Sequence, residues 1–159
     1  MKITEGIGPL RRFVLASLLS LLLGATASAR DILTGPVPAR VLGVIDGDTL
    51  VVRAHIWLDQ DVETHVRLTG IDAPELKGRC AAERERALAA KDFLARSAGS
   101  DVLLDNVSWE KYGGRVRANV RTADGADLAR LLVDAGHARP YDGGKRGPWC
   151  EEAAAPRAD

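Results

Sequence analysis

The sequence has no excess of either charge, few cysteines and histidines, and no apolar run long enough to cross a bilayer. Its 22 lysines and arginines are matched by 22 aspartates and glutamates. It therefore lacks the strongly basic balance with which many proteins grip duplex DNA by bulk electrostatics. There is no Cys-x-x-Cys pair and no Cys/His spacing of the kind that holds zinc. His55, His65 and His137 are scattered and read as surface or strand residues. No internal repeat is present, and no low-complexity segment beyond an alanine-rich tail. Charged residues at 28% exclude a membrane bundle and a disordered chain alike, and hydrophobic residues at 46% suffice for one packed core. A chain of 159 residues holds one domain of ordinary size.

The N-terminus reads as a leader. Arg11 and Arg12 precede an apolar run from Phe13 to Leu23, and Ala27-Ser28-Ala29 supplies the small residues of a cleavage site. That run falls short of the roughly 20 residues a spanning helix needs. The expectation is export, with cleavage after Ala29, to the periplasm or the medium, and no membrane contact afterwards. Loss of residues 1–29 removes Lys2, Arg11, Arg12 and Glu5, leaving 19 basic against 21 acidic residues. Any contact with nucleic acid must then come from a local cluster of cations. In an exported protein the two cysteines, Cys80 and Cys150, predict one disulfide that ties the segment before the first helix to the C-terminal tail.

Residues 30–38 read as a linker, because Gly35, Pro36 and Pro38 oppose regular structure. A domain over 39–142 and a tail over 143–159 follow. A strand is expected from Ala39 to Ile45 and a sharp turn at Gly47. A second strand then alternates, with Leu50, Val52, Ala54, Ile56 and Leu58 on one face and Arg53, His55 and Trp57 on the other. A third runs from Glu63 to Thr69. The pattern turns helical from Ala82 to Ser97, with Ala87, Ala90 and Leu94 on one side and Gly99 as the stop. Val102–Val107 forms a fourth strand. In a fifth, Val116, Ala118 and Val120 face inward, while Arg115, Arg117, Asn119 and Arg121 face out. Asp127 caps a last helix closed by Gly136. Five short strands with a helix between the third and fourth predict an α+β, mainly β, five-stranded OB-fold barrel with two packed helices.

Four acidic residues fall at strand ends and turns, where side chains converge: Asp46 and Asp48 around Gly47, and Asp72 and Glu75 in Gly70-Ile71-Asp72-Ala73-Pro74-Glu75. Hard oxygen donors of this kind suit calcium and leave positions for water and a phosphate oxygen. Aspartate and glycine are also ordinary turn residues, so the Asp46-Gly47-Asp48 triplet alone says little. Arg67 lies on the strand leading into the Asp72 turn. A planar guanidinium can hold two oxygens of a phosphodiester as charge builds on them.

Three ordered motifs carry a resemblance: Ile45-Asp46-Gly47-Asp48-Thr49, Val66-Arg67-Leu68 running into Ile71-Asp72-Ala73-Pro74-Glu75, and Glu110-Lys111-Tyr112-Gly113-Gly114-Arg115. Together they resemble the staphylococcal nuclease-like (thermonuclease) family, over roughly Ala39 to Tyr141. The segment Leu131 to Ala138 resembles that family's last core helix and following loop. The resemblance implies calcium held by Asp48, Asp72 and the carbonyl of Ala73, with Asp46 as a supporting carboxylate. It implies Glu75 as general base, Arg67 and Arg115 as catalytic phosphate arginines, and Lys111 and Tyr112 as substrate contacts. Three departures stand out. Alanine occupies position 73, where the family often has threonine. The Tyr-Gly-Arg motif is Tyr-Gly-Gly-Arg, which leaves Arg117 as an alternative to Arg115. The loop after Glu75, which contains Cys80, and the tail are shorter than in the best-known member. Tyr141 and Trp149 are aromatic candidates either for stacking on a base or for packing the tail.

The implied function is that of an exported, calcium-dependent nuclease, acting as a monomer on DNA or RNA. The weak net charge favours single-stranded substrate over long duplex. The alternative is a non-catalytic OB-fold module that binds nucleic acid. Such a module has no need of Asp48, Asp72, Glu75 and Arg67 together.

Overall fold

The computed structural model describes residues 32–110 and 114–150. The expected leader and the motif residues Lys111 and Tyr112 lie outside the described residues. Ten elements follow in order: β1 (Ile32–Leu33), β2 (Val37–Asp46), β3 (Thr49–Trp57), β4 (Gln60–Leu68), β5 (Ile71–Asp72), α1 (Ala81–Ala98), β6 (Asp101–Trp109), β7 (Arg115–Thr122), α2 (Leu128–Asp134) and β8 (Arg139–Pro140).

Five of the strands close on themselves in the order β2-β3-β4-β7-β6-β2. All neighbours are antiparallel except β4 and β7, which run parallel with Arg67 opposite Arg117. The expected mainly-β barrel with two packed helices is the fold observed. Closure requires strong bending, and β2 supplies it at register breaks after Val41 and Val44. Its first half pairs with β6 over Val37–Arg40, while Ala39–Asp46 pairs with β3. The small β5/β8 pair, Ile71 with Pro140 and Asp72 with Arg139, sits apart from the barrel ladder and carries site residues on both strands.

The alternation of β3 and β7 fills the interior. Leu50, Val52, Val66, Leu104, Ala118 and Val120 are essentially without solvent contact, and Leu94 of α1 with Leu128 and Leu132 of α2 close the same core. Each leucine of this set holds the barrel with roughly 2–5 kcal/mol against truncation to alanine. The capping of α2 follows the sequence: Asp127 accepts a hydrogen bond from the Arg130 N–H at 3.0 Å. Gly136, just past the C-cap Ala135, takes φ +75°, a conformation open to glycine. Among the described residues no helix is long and apolar enough to cross a membrane.

Two expectations change. The stretch read as a linker is partly strand: Ile32–Leu33 pairs with β6, and Val37 and Pro38 already belong to β2. Pro38 is tolerated because pairing with β3 begins only at Ala39. The inward face of β3 also ends earlier than its alternation suggests. Ile56 and Leu58 are 46% and 79% exposed, because the β3/β4 hairpin runs on past the last core layer.

Cys80 and Cys150 form the predicted disulfide, with Cα atoms 6.0 Å apart and 70 residues between them in sequence. A loop of that length closed in the unfolded chain is worth about 4 kcal/mol in the chain-entropy description. The double variant Cys80→Ser/Cys150→Ser is therefore expected to lose close to that amount in denaturant unfolding, with the circular dichroism of the barrel unchanged.

Candidate active site

Four chain segments meet at one end of the barrel. The β2–β3 turn brings Asp46, Gly47 and Asp48. The end of β4 brings Arg67. β5 and the loop after it bring Asp72, Ala73 and Glu75, and the tail from β8 to Cys150 brings Arg139, Arg146 and Trp149. Gly47 is what lets the first of these approach. A Cβ there would lie 2.7 Å from the Ala90 side chain and 2.9 Å from that of Ala73, so any larger residue would push the turn off α1 and off the Asp72 loop.

Asp48 is buried at 3% exposure and its Oδ1 accepts from Arg67 Nη1 at 2.6 Å and from Thr49 Oγ1 at 2.9 Å. Its Oδ2 has only a long contact, 3.4 Å, from the Ala73 N–H. The Asp48 N–H is fixed in turn by Asp46 Oδ1 at 3.1 Å. Burial pushes the Asp48 carboxyl up to about 7; the Arg67 charge opposes this without cancelling it, and the Asp46 charge adds to it. Arg67 itself is buried, and among the described residues its second terminal nitrogen, Nη2, has no partner. A buried guanidinium donor without an acceptor beside a carboxylate cluster costs about 1–3 kcal/mol, and an anionic oxygen would relieve it.

Asp72 is the most enclosed acid among the described residues, 1% exposed. Its Oδ2 accepts from Arg139 Nε at 3.1 Å, Arg139 Nη2 at 2.8 Å and Trp149 Nε1 at 3.1 Å. Its Oδ1 faces Arg146 Nε at 3.3 Å. Arg146 also donates from Nη1 to Glu75 Oε1 at 2.7 Å. Burial alone would lower the pKa of this guanidinium, but the charges of Asp72, Glu75 and Asp48 together raise it. One guanidinium thus bridges two of the four predicted carboxylates, Asp72 and Glu75. Glu75 remains open to water, with 55% of its side chain exposed.

The predicted arginines on β7 separate. Arg115 is engaged by Glu110, through Nε to Oε2 and through Nη2 to Oε1 at 3.2 Å. Arg117, directly across the parallel ladder from Arg67, lines a cleft of roughly 640 Å3 together with Arg67, Tyr141 and Arg146. Tyr141 donates to the Gly144 carbonyl at 2.7 Å, and Trp149 packs under the Arg139 guanidinium, 4.3 Å from its ring centre. The tail aromatics therefore differ in role: Tyr141 borders the cleft, whereas Trp149 belongs to the clasp on Asp72.

Sequence reasoning did not single out Arg139, Arg146 or Glu83. Glu83, buried at 7%, accepts from the Arg79 N–H at 2.9 Å and the Glu75 N–H at 3.5 Å, while Cys80 accepts from the Glu83 N–H at 3.4 Å. This variant of a capping box fixes the loop that carries Glu75 to the start of α1. The signal for the arginines lay in the cysteines. Cys80 stands five positions after Glu75, so whatever precedes Cys150 must land beside the acids.

Asp46, Asp48, Asp72 and Glu75 offer carboxylate oxygens only, the donor type a hard divalent cation takes, and Asp48 is enclosed with its carboxyl raised by burial. Residues 65–154 match the family model described as staphylococcal nuclease homologue. No curated protein matches the chain. The family match begins inside β4, so the turn bearing Asp46 and Asp48 lies ahead of it, and the fold itself brings that turn to Asp72 and Glu75.

The raised pKa of Asp48 sets a pH dependence. In protein stripped of divalent cations, the folded state holds the Asp48 proton more tightly than the unfolded chain, whose carboxyl titrates near the ordinary 3.8. The favourable contribution is complete below that value and disappears as pH rises through 7. Stability of the stripped protein is expected to fall by up to about 4 kcal/mol between pH 4 and pH 7. Asp48→Asn should flatten the slope, as read from denaturant midpoints across that range.

Proposed function

The chain belongs to the staphylococcal nuclease homologues, and on that premise we propose that it is an exported, calcium-dependent nuclease hydrolysing phosphodiester bonds of single-stranded DNA or RNA. The observation that carries this reading is the buried Arg67, with one nitrogen locked on Asp48 and the other, among the described residues, without a partner. A module that only stacked bases would have no reason to bury such a group. The disulfide supports export, since such bonds persist in oxidising compartments.

Asp48, Asp72 and the carbonyl of Ala73 would hold the calcium ion, with Asp46 behind them. When bound, it supplies positive charge that offsets the phosphate's and helps order the attacking water. The chain's own groups do the remaining work. Arg67 donates to a non-bridging phosphate oxygen, its plane preset by Asp48. Arg117 adds a second guanidinium from the neighbouring strand. Glu75 swings from Arg146 to a water and takes its proton as the water oxygen bonds to phosphorus. The bond from phosphorus to the leaving oxygen of the adjoining nucleoside breaks at the same centre. The arginines stabilise charge where it develops, in surroundings that do not have to reorganise.

Activity on a single-stranded oligonucleotide, with and without calcium, tests this. Glu75→Gln and Arg67→Ala are each expected to lower kcat by about 10²–10⁴-fold. A folded, calcium-loaded wild type that binds the strand but leaves it intact would make the chain a binding module instead. The two β7 arginines are separable in the same assay. Arg117→Ala is expected to cost more in kcat than Arg115→Ala, whose wild-type side chain is held by Glu110; the reverse order would return the phosphate contact to Arg115.

A further inference from the structure

The catalytic groups do not share one cavity. Arg67, Arg117 and Tyr141 line the cleft already described. Asp72 and Glu75 line a second, of roughly 610 Å3, bounded by the loop before α1 on one side and by the tail on the other. Among the described residues, Arg146 alone borders both. A phosphate attacked by a water on Glu75 while held by Arg67 must therefore lie at the junction of the two. A strand passing through that junction has one direction to leave by each cleft.

The second cleft has the chemistry of a phosphate site. Lys77 and Arg79 rise from the loop and Lys145 from the tail, and all three are exposed. Among the described residues no carboxylate forms an ion pair with any of them. Each of the three acids that share the cleft has a partner other than these cations: Asp72 is held by Arg139, Trp149 and Arg146, the exposed Glu75 by Arg146, and Glu83 by the backbone of the Glu75 loop. Free cations are thus gathered here in a chain whose overall balance is near neutral. The Cys80–Cys150 bond fixes the two cationic rims face to face.

We propose that this cleft is a second phosphate subsite, taking the phosphodiester next to the scissile one on the Glu75 side of the strand. It rests on the nuclease reading and extends it. Nucleotides on both sides of the cut contribute to binding, so the favoured substrate is the interior of a single strand rather than its terminal nucleotide.

Binding read without turnover separates this subsite from the catalytic reading. In a Glu75→Gln background with calcium present, the affinity of a fluorescent single-stranded 12-mer would be followed against salt concentration. The triple variant Lys77→Ala/Arg79→Ala/Lys145→Ala is expected to bind about tenfold more weakly. Its plot of log affinity against log salt should be shallower by at least about 0.7, the contribution of one phosphate contact on a single strand. A control triple, Arg40→Ala/Arg96→Ala/Arg130→Ala, removes equal charge away from both clefts and is expected to leave the slope within error. An unchanged slope in the first triple, an equal loss in the control, or no binding of the 12-mer at all would each overturn the subsite. Cleavage by the wild type, measured separately, bears on the nuclease reading alone.

Discussion

The ion pair between Asp48 and Arg67 is the constraint around which the site is arranged. Two charges withdrawn from water this far are costly, and their attraction repays that cost only with good geometry and further hydrogen bonds. Here the repayment is incomplete. Burial keeps the Asp48 carboxyl raised even with Arg67 at 2.6 Å, and Arg67 keeps a nitrogen without an acceptor among the described residues. A fold selected for stability alone would have closed this gap with apolar residues of similar volume. Retaining it fits a site completed from outside, by a cation on one side and an anionic oxygen on the other.

Asp72 shows the opposite solution. One of its oxygens is saturated by Arg139 and Trp149, which leaves the other facing the centre. The carboxylate plane is therefore set by the tail, and the tail is set by Cys150. Binding groups held by rigid neighbours need little reorganisation when charge develops, and that is where such sites gain most. The cleft on the Glu75 side is a product of the same tethering, because the strap that orients Asp72 also supplies Lys145 and Arg146.

Much of this was legible in the chain. The period-two alternation of Leu50, Val52 and Ala54 and the helical spacing of Ala87, Ala90 and Leu94 located core faces, because a half-buried element writes its geometry into its residues. Asp46, Asp48, Asp72 and Glu75 were visible because turns between strands converge at a barrel end. Alternation does not show where the barrel stops: Ile56 and Leu58 continue the face of Leu50, Val52 and Ala54 yet lie on a protruding hairpin. Proline and glycine before β2 masked a segment whose pairing partner, β6, lies more than sixty residues later. Arg139 and Arg146 carry no local pattern. Their role depends wholly on where an irregular tail is anchored.

That anchoring has an optical consequence. Of the three tryptophans in the sequence, Trp57 and Trp109 stand 68% and 72% exposed, largely in water. Trp149 alone is half-buried, stacked under a guanidinium and hydrogen-bonded to a carboxylate of the cluster. The fluorescence of this chain therefore combines two largely exposed tryptophans with one local reporter, joined to Asp72 by a single N–H hydrogen bond.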